Sequence, residues 1–312
     1  MSQGEAAPAG WRAWGAAIRR DRKASLGAWI LGAFLLVALA GPWLAGDPDA
    51  LVGVPHQAPS AAHWLGTTGQ GQDVLAQTVV GTRVSLVIGF AVGLAVVLVG
   101  ALVGVVAGYA GGRVDAALSL LLNVFLVLPG LPLAIVLAAY LPAGPATVAL
   151  VLTVTGWAWN ARVVRAQTLA LRQRDFVAAA IVAGERPLRV VLVEILPNML
   201  SLLVAQVIGS TVYAVGAQVG LEFLGLGDVS RPTWGTNLYW AANDSALLVG
   251  AWWTFVPTGL CVALVGFALT MLNSGFDEVT NPRLQTERAW RGWLLGHGLR
   301  PGRSTPVAVD RG

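Results

Sequence analysis

The stretch of residues 175–198, DFVAAAIVAGERPLRVVLVEILPN, decides how the rest of the chain is interpreted. Read as a helix, its first half carries apolar residues on and beside one face: Phe176, Val177, Ala180, Ile181 and Ala183. Gly184 ends this helix, and Pro187 can begin a second one in its first turn. An exposed apolar face of this kind needs a surface that buries it. That surface is either the chain's own helical bundle or a second protein.

Composition places this stretch inside a membrane protein. The chain has 312 residues, of which 56% are hydrophobic and 12% are charged, about half the charged share of a soluble domain. The basic residues are arginines apart from Lys23, and they lie in short segments beside apolar runs, which is a pattern of membrane topology and not of nucleic-acid binding. Cys261 is the one cysteine, so an intrachain disulfide is excluded, and we interpret it as a small buried hydrophobe.

The apolar runs predict an all-α polytopic membrane protein with six transmembrane helices. We expect the spans at residues 24–46, 84–110, 116–140, 146–161, 195–221 and 245–276, with a proline-rich turn at 142–145 and an amphipathic helix at 73–83 leading into the second span. The small residues at 38–40 also resemble a signal-peptide cleavage site. The apolar run continues past them and more spans follow, which favours a retained first helix.

The distribution of basic residues predicts the orientation. If the N-terminus is cytosolic, 18 of the 20 Lys and Arg residues fall in inside segments, and only Arg83 and Arg231 fall outside. The predicted organisation is a cytosolic N-terminus with the first helix at 1–46, an extracytoplasmic segment at 47–83, a membrane core at 84–276 and a cytosolic tail at 277–312. Both termini and the stretch 175–198 are then cytosolic.

The predicted spans contain no Asp, Glu, Lys, Arg or His, which makes coupling to an ion gradient through titrating side chains difficult. The uncharged polar residues in the spans either line a pathway or, as we favour, bond between helices: Asn123, Thr153, Thr155, Gln206, Ser210 and Thr211. The sequence has no phosphate-binding Gly-Lys-Ser/Thr motif and no metal-ligand cluster. We expect His56 and His63 to be solvated loop residues, and any energy to come from a partner protein.

Motifs along the chain carry a family resemblance. The segment FVAAA at 176–180, with Gly184 and ILPN at 195–198, resembles the EAA loop of permease subunits in binding-protein-dependent ABC importers. Further segments resemble the dipeptide/oligopeptide/nickel permease family, in its DppC/OppC-like branch: WLGT at 64–67, GTRVSL at 81–86, FLGLG at 223–227, WG at 234–235 and NPRL at 281–284. The chain departs from the family pattern at Ala178, where the family has Glu, and at Gln72, where it usually has Arg.

The resemblance implies a MetI-like transmembrane domain of a type I importer with an extra N-terminal helix. It implies as partners a second permease, a cytosolic ATPase pair that binds the ATP, and an extracytoplasmic solute-binding protein, all at the lipid bilayer. It implies no catalytic residue, metal or cofactor in this chain. The residues it assigns to the ATPase-coupling loop are Asp175, Phe176, Val177, Ala178, Ala179, Ala180, Ile181, Gly184, Glu185, Arg186 and Pro197.

The cargo and two other classes of protein stay open. Peptides are the expected substrate, and nickel or oligosaccharides are alternatives with the same mechanism. An autonomous channel or ion-coupled carrier is disfavoured by the uncharged spans and by the stretch 175–198. A membrane enzyme is the least favoured, because the spans hold no clustered His, Cys or carboxylate residues.

Overall fold

The structure, a computed structural model, describes residues 21–280 and is built from α-helices. The N-terminal residues 1–20 and the tail after residue 280, for which cytosolic positions are predicted, lie outside the described residues. The helices are α1 Arg22–Leu44, α2 Val74–Ala110, α3 Gly112–Val127, α4 Gly130–Tyr140, α5 Pro145–Arg172, α6 Asp175–Val182, α7 Pro187–Arg189, α8 Leu196–Phe223, α9 Trp234–Asn243 and α10 Val256–Thr280. A π-helical turn, Val190–Ile195, joins α7 to α8, and a 3₁₀ turn, Trp252–Thr254, precedes α10.

Five stretches are long and apolar enough to cross a bilayer: Arg22–Leu44, Val74–Ala110, Pro145–Arg172, Pro187–Phe223 and Trp252–Gly275. The pair α3 and α4 makes a sixth crossing when counted as one span. With the bent pair counted as one span, the prediction of an all-α protein with six membrane crossings is confirmed.

The third predicted span, at 116–140, is wrong as a single straight helix. Helices α3 and α4 meet at 87°. Leu128 is extended, with φ −67° and ψ 132°, because the residue before a proline is pushed out of the helical region, and Pro129 begins the next helix as its cap. The bend is thus encoded by Leu128 and Pro129.

Several predicted boundaries also move. Helix α2 is continuous over 37 residues, so the separate amphipathic helix predicted at 73–83 is its first part. At a rise of 1.5 Å per residue α2 is about 55 Å long, which exceeds the hydrocarbon core of a bilayer by about 25 Å. The last predicted span began at residue 245, but the chain there forms turns through Ser245 and Gly250, both with positive φ, and α10 begins only at Val256.

The centre of the bundle is a close contact between α2 and α5. Gly100, Gly104 and Gly108 recur every fourth residue of α2 and face α5. A Cβ atom added at Gly104 would lie 2.6 Å from the carbonyl oxygen of Ala161, and one at Gly108 would lie 2.7 Å from Cβ of Thr168. Spaced small residues of this kind let membrane helices approach closely. Helix α8 packs on the same α2, and α1 and α10 pair at the side.

The helices carry connecting segments at two ends. At one end, which we call the cap, residues 45–73 and 224–255 pack on each other and on the start of α2. The buried Trp234 attaches the second of these segments to α2, since its backbone N–H donates to Ser85 Oγ at 3.0 Å and its ring N–H to Thr82 Oγ1 at 3.3 Å. At the other end, which we call the loop end, α6 and α7 connect α5 to α8.

The two histidines of the cap are not the solvated loop residues that we expected. His63 Nδ1 lies 3.0 Å from Asp73 Oδ2, and His56 Nε2 lies 3.1 Å from the backbone oxygen of Asp244. Both rings are partly buried. The His63 contact is made to the N-cap residue of α2, and the His56 contact joins the residue 45–73 segment to the end of α9. Burial raises the pKa of the Asp244 carboxyl, an effect that the charge of nearby His56 opposes.

Candidate functional site

Helix α6 is attached to the bundle by one buried side chain. Val177 is fully buried and belongs to a hydrophobic cluster with Val164 of α5 and Met199 of α8. Ala180, one turn later, is partly buried against the same cluster. The coupling residues predicted at 177 and 180 therefore face inward and orient the helix, and a protein docking on α6 would not contact Val177.

The opposite side of α6 is exposed and apolar. Phe176 is 41% exposed and Val182 is 88% exposed. Ile181 is also exposed, although it lies one turn after Val177 on the same face of the helix. The other predicted coupling residues that lie outside are small or charged: Asp175, Ala178 and Ala179. Two exposed residues were not among the predicted coupling residues: Val182, and Leu188 of α7, which is 70% exposed. Their signal was available, since both are large apolar residues within residues 175–198.

Gly184 ends α6 in the way its sequence position predicts. Its φ is +81°, a left-handed conformation that favours glycine. The N–H of Gly184 donates to the Ile181 carbonyl at 3.0 Å, and the N–H of Glu185 donates to the Ala180 carbonyl at 3.1 Å. This pair of bonds is a Schellman motif, which satisfies carbonyl groups at the end of the helix. The turn fixes the direction in which the chain leaves α6.

The second half of the stretch contains a feature that the sequence analysis missed. After α7, the chain forms the π-helical turn Val190–Ile195, in which the N–H of Leu196 bonds to the carbonyl of Val191. Pro197 follows in the first turn of α8 and is exposed. A proline has no N–H and its ring clashes with the carbonyl four residues earlier, so a widened turn before it relieves that clash. Pro197 was therefore the signal for the π turn.

The charges of the loop are partly engaged within the chain. Glu185 forms an ion pair with Arg189, one helical turn further on, so it is not a free acidic group. Asp175 and Arg186 are exposed. At the end of α5, Arg172 lies over the ring of Tyr109, 5.7 Å from its centroid. The loop end thus presents mainly arginine charge around the apolar face of α6.

A bidentate ion pair fixes α3 to α5 near the same end. The guanidinium of Arg165 donates from Nε to Asp115 Oδ1 at 2.5 Å and from Nη2 to Asp115 Oδ2 at 2.7 Å. Paired donors of this geometry are among the stronger hydrogen bonds in proteins. Sequence reasoning missed the pair, because its two residues are 50 positions apart and belong to different predicted segments.

The uncharged polar residues of the spans divide into two groups. Three threonines donate to carbonyl groups of their own helices at 2.7 to 2.9 Å: Thr153, Thr155 and Thr211. These hydrogen bonds neither join two helices nor line a pathway. Asn123 accepts from Arg162 at 3.0 Å, and Ser210 pairs with Asn160, so these residues bond between helices as favoured. Gln206 has no hydrogen-bond partner among the described residues.

These features define a multi-pass α-helical membrane protein with a short-helix connector exposed at one end. The chain belongs to the family of binding-protein-dependent transport system inner membrane components, whose family model matches residues 100–282. The resemblance found in the motifs is thus confirmed, and with it the MetI-like fold and the membership in a family of ABC transporter permeases.

Individual relatives agree with the family. The chain is similar to the dipeptide transport system permease protein DppC of Bacillus subtilis, with 33% identity over 86% of this chain and 84% of that protein. It is 35% identical to DppC of Escherichia coli over 86% of this chain and 91% of the relative. The oligopeptide transport system permease protein OppC of Bacillus subtilis is 29% identical over 86% and 88% of the two chains.

Proposed function

We propose that this chain is one of two transmembrane subunits of an ATP-driven importer of peptides. The names of the relatives, which are dipeptide, oligopeptide and peptide permeases, support the cargo. The sequence has no nucleotide-binding motif, so ATP is bound by a separate pair of cytosolic ATPases. A second permease completes the pathway, and a solute-binding protein delivers the peptide.

In this proposal the loop end lies in the cytosol and the cap lies outside the membrane. Arginines support the assignment, because those of residues 162–189 all lie in the last turns of α5 or in the loop that follows: Arg162, Arg165, Arg172, Arg174, Arg186 and Arg189. The first residue of α1 and the last residue of α10 belong to the same end when six crossings are counted. Both termini are then cytosolic, and the solute-binding protein meets the cap.

The observation that carries the proposal is the division of α6 into an anchored side and an exposed apolar side. Val177 attaches the helix to α5 and α8, while Phe176 and Val182 are exposed. An amphipathic helix that places its apolar face in a groove of a partner is a recurring mode of protein recognition. Movement of that partner would be transmitted to α5 and α8 through Val177.

The test is a set of three charge substitutions in the complex. Val182→Asp and Phe176→Asp place a carboxylate on the exposed side of α6, and Leu248→Asp does the same in the cap, where Leu248 is also 88% exposed. All three chains are co-expressed with the second permease and the ATPase pair of the same system. We expect the two α6 variants to lose ATPase co-purification by at least about tenfold, since burying an unpaired charge is strongly unfavourable, while Leu248→Asp retains it.

Equal co-purification of the ATPase pair with the wild type and with all three variants would refute the docking role of α6. The cargo is tested separately with the wild-type complex in proteoliposomes that contain the solute-binding protein. We expect ATP-dependent uptake of a labelled dipeptide. Uptake of nickel or an oligosaccharide instead, with no uptake of the dipeptide, would refute the peptide assignment and leave the coupling mechanism unaffected.

A further inference from the structure

A cavity opens between the helices, beside the bend between α3 and α4. Its volume is about 500 Å³, within the range of about 300 to 1,000 Å³ that is usual for small-molecule sites. Leu128 and Gly130 line it from the two sides of the bend, and α2, α5 and α8 supply the remaining walls. Interrupted helices in membrane proteins occur where the irregular backbone lines a cavity. The bend at Pro129 therefore lies beside a cavity of a size that can hold a small molecule.

One wall of the cavity is polar without being charged. Asn160 of α5 and Gln206, Ser210 and Tyr213 of α8 line it, and the lining set contains no ionisable carboxylate, amine, guanidinium or imidazole among the described residues. Asn160 donates to Ser210 Oγ at 3.1 Å, so this pair already satisfies part of its hydrogen-bonding capacity. We call these four residues the polar wall.

Gln206 is the member of the polar wall whose polar atoms are buried and, within residues 21–280, unpaired. Both the nitrogen and the oxygen of its side-chain amide are buried, and neither has a hydrogen-bond partner among the described residues. An unpaired buried amide is unfavourable by an amount comparable to a lost hydrogen bond, so it gains by pairing. Because the amide has no partner where it lies, turning it into the cavity breaks no existing bond.

The chemistry of a free primary amide selects a particular kind of ligand group. A primary amide offers an N–H donor beside a carbonyl acceptor, and a peptide group offers the complementary acceptor and donor. A neutral wall gives no ion pair to the charged ends or side chains of a peptide. The polar wall can therefore hydrogen-bond the backbone that all peptides share, and the remaining apolar volume can accept different side chains.

We infer that the cavity is a transit site for peptide cargo, in which the amide of Gln206 hydrogen-bonds the backbone peptide group. This inference rests on the proposed import of peptides and adds to it the recognising residue. Gln206 is a specificity-determining residue in this role, because it favours a cargo that carries an N–H beside a carbonyl over one of the same shape that lacks the N–H.

The experiment compares a dipeptide with its ester analogue, in which oxygen replaces the single peptide N–H. Uptake of both by the complete importer with its binding protein is measured for the wild type, for Gln206→Leu and for the control Thr153→Val. Thr153 is on α5 outside the cavity lining and donates only to the Ala149 carbonyl of its own helix. Any preference of the binding protein is the same in all three complexes, so it cancels when their amide-to-ester ratios are compared.

We expect the amide-to-ester ratio of Gln206→Leu to fall about five- to tenfold below that of the wild type, the factor of one neutral hydrogen bond. Thr153→Val should keep the wild-type ratio. An unchanged ratio in Gln206→Leu, in a complex that still imports the dipeptide, overturns the transit site alone. Failure of the wild-type complex to import the dipeptide at all is a separate result and overturns the proposed cargo.

A labelling measurement tests the site if Gln206→Leu does not fold. Cys261 is the one cysteine of the chain, so Gln206→Cys in a Cys261→Ala background carries a single thiol. We expect a small water-soluble thiosulfonate to modify this thiol in the assembled importer, and the dipeptide to slow the reaction at least threefold. Modification at the same rate with and without dipeptide overturns the inference. So does complete resistance to modification, which would show that the second permease fills the cavity.

Discussion

The turn at Gly184 gives a prediction whose magnitude follows from backbone geometry. Its φ of +81° is left-handed, and a Cβ added there would have no atom within 4 Å. Substitution in the isolated chain is therefore opposed by the backbone conformation and not by crowding. The left-handed conformation is less favourable by about 1 to 2 kcal/mol for an ordinary L-residue, and asparagine tolerates it better.

We expect the destabilisation caused by three substitutions at this position to depend on how well each residue tolerates the left-handed conformation, and not on its size. Gly184→Asn should be the mildest, Gly184→Ala should destabilise the turn by about 1 kcal/mol, and Gly184→Val, which is β-branched, should destabilise it more. The Glu185 N–H to Ala180 carbonyl bond belongs to this turn, so opening of the turn exposes it. The free energy of this local opening is the quantity that the substitutions change.

The assay is amide hydrogen exchange of residues 175–189 in the isolated, detergent-solubilised chain. A destabilisation of 1.4 kcal/mol raises the exchange rate about tenfold, so Gly184→Ala should exchange about five times faster than the wild type and Gly184→Val faster again. A peptide from α10 serves as the internal control and should not change. A ranking by side-chain volume, with asparagine worse than alanine, would refute the reasoning, because it would show that a packed surface covers Gly184.

Two further predictions concern packing and pH. Gly104→Val should lower the melting temperature by several degrees, because its Cβ would lie 2.6 Å from the Ala161 carbonyl oxygen, whereas Gly216→Val, with no atom within 4 Å of an added Cβ, should change it little. Asp244→Asn should raise the melting temperature near neutral pH. The raised pKa of that carboxyl means that ionising it works against the fold, so the wild type loses this part of its stability as pH rises from the ordinary Asp value through the raised pKa. A thermal-shift series should therefore show the gain shrinking towards about pH 4, and a gain that grows there instead would contradict the assignment.

The boundaries of α6 could be read from the sequence, but its orientation could not. Gly184 and Pro187 are local signals, since each acts through its own backbone conformation, and the structure ends α6 and begins α7 beside them. Within the helix, Phe176, Val177 and Val182 are all large and apolar. Over eight residues the period of the helix cannot decide which of them faces the bundle. The choice of Val177 comes from the cluster it meets on α5 and α8.

Contacts between residues far apart in the chain could not be predicted from the sequence, for a different reason. The contact of His56 with Asp244 joins residues 188 positions apart, and neither neighbourhood contains a signal for the other. The bend at Leu128 is a different case, because the proline that causes it was visible. The apolar run continues through it without charge, so hydropathy alone describes one span where the backbone makes two helices.

The anchored side of α6 links the loop end to the cavity through two helices. Val177 shares its buried cluster with Val164, which is one helical turn from Asn160, and with Met199, which is two turns from Gln206. A displacement of α6 by a docked partner therefore acts on α5 and α8 within about 6 to 10 Å of the polar wall, measured along the helix axes. Rigid helices carry such a displacement without needing a carboxylate or a basic group at the polar wall, and so a cavity lined without such groups is compatible with driven transport. In the proposed importer, α5 and α8 would be displaced at Val177, and this displacement would change the shape of the cavity at Gln206.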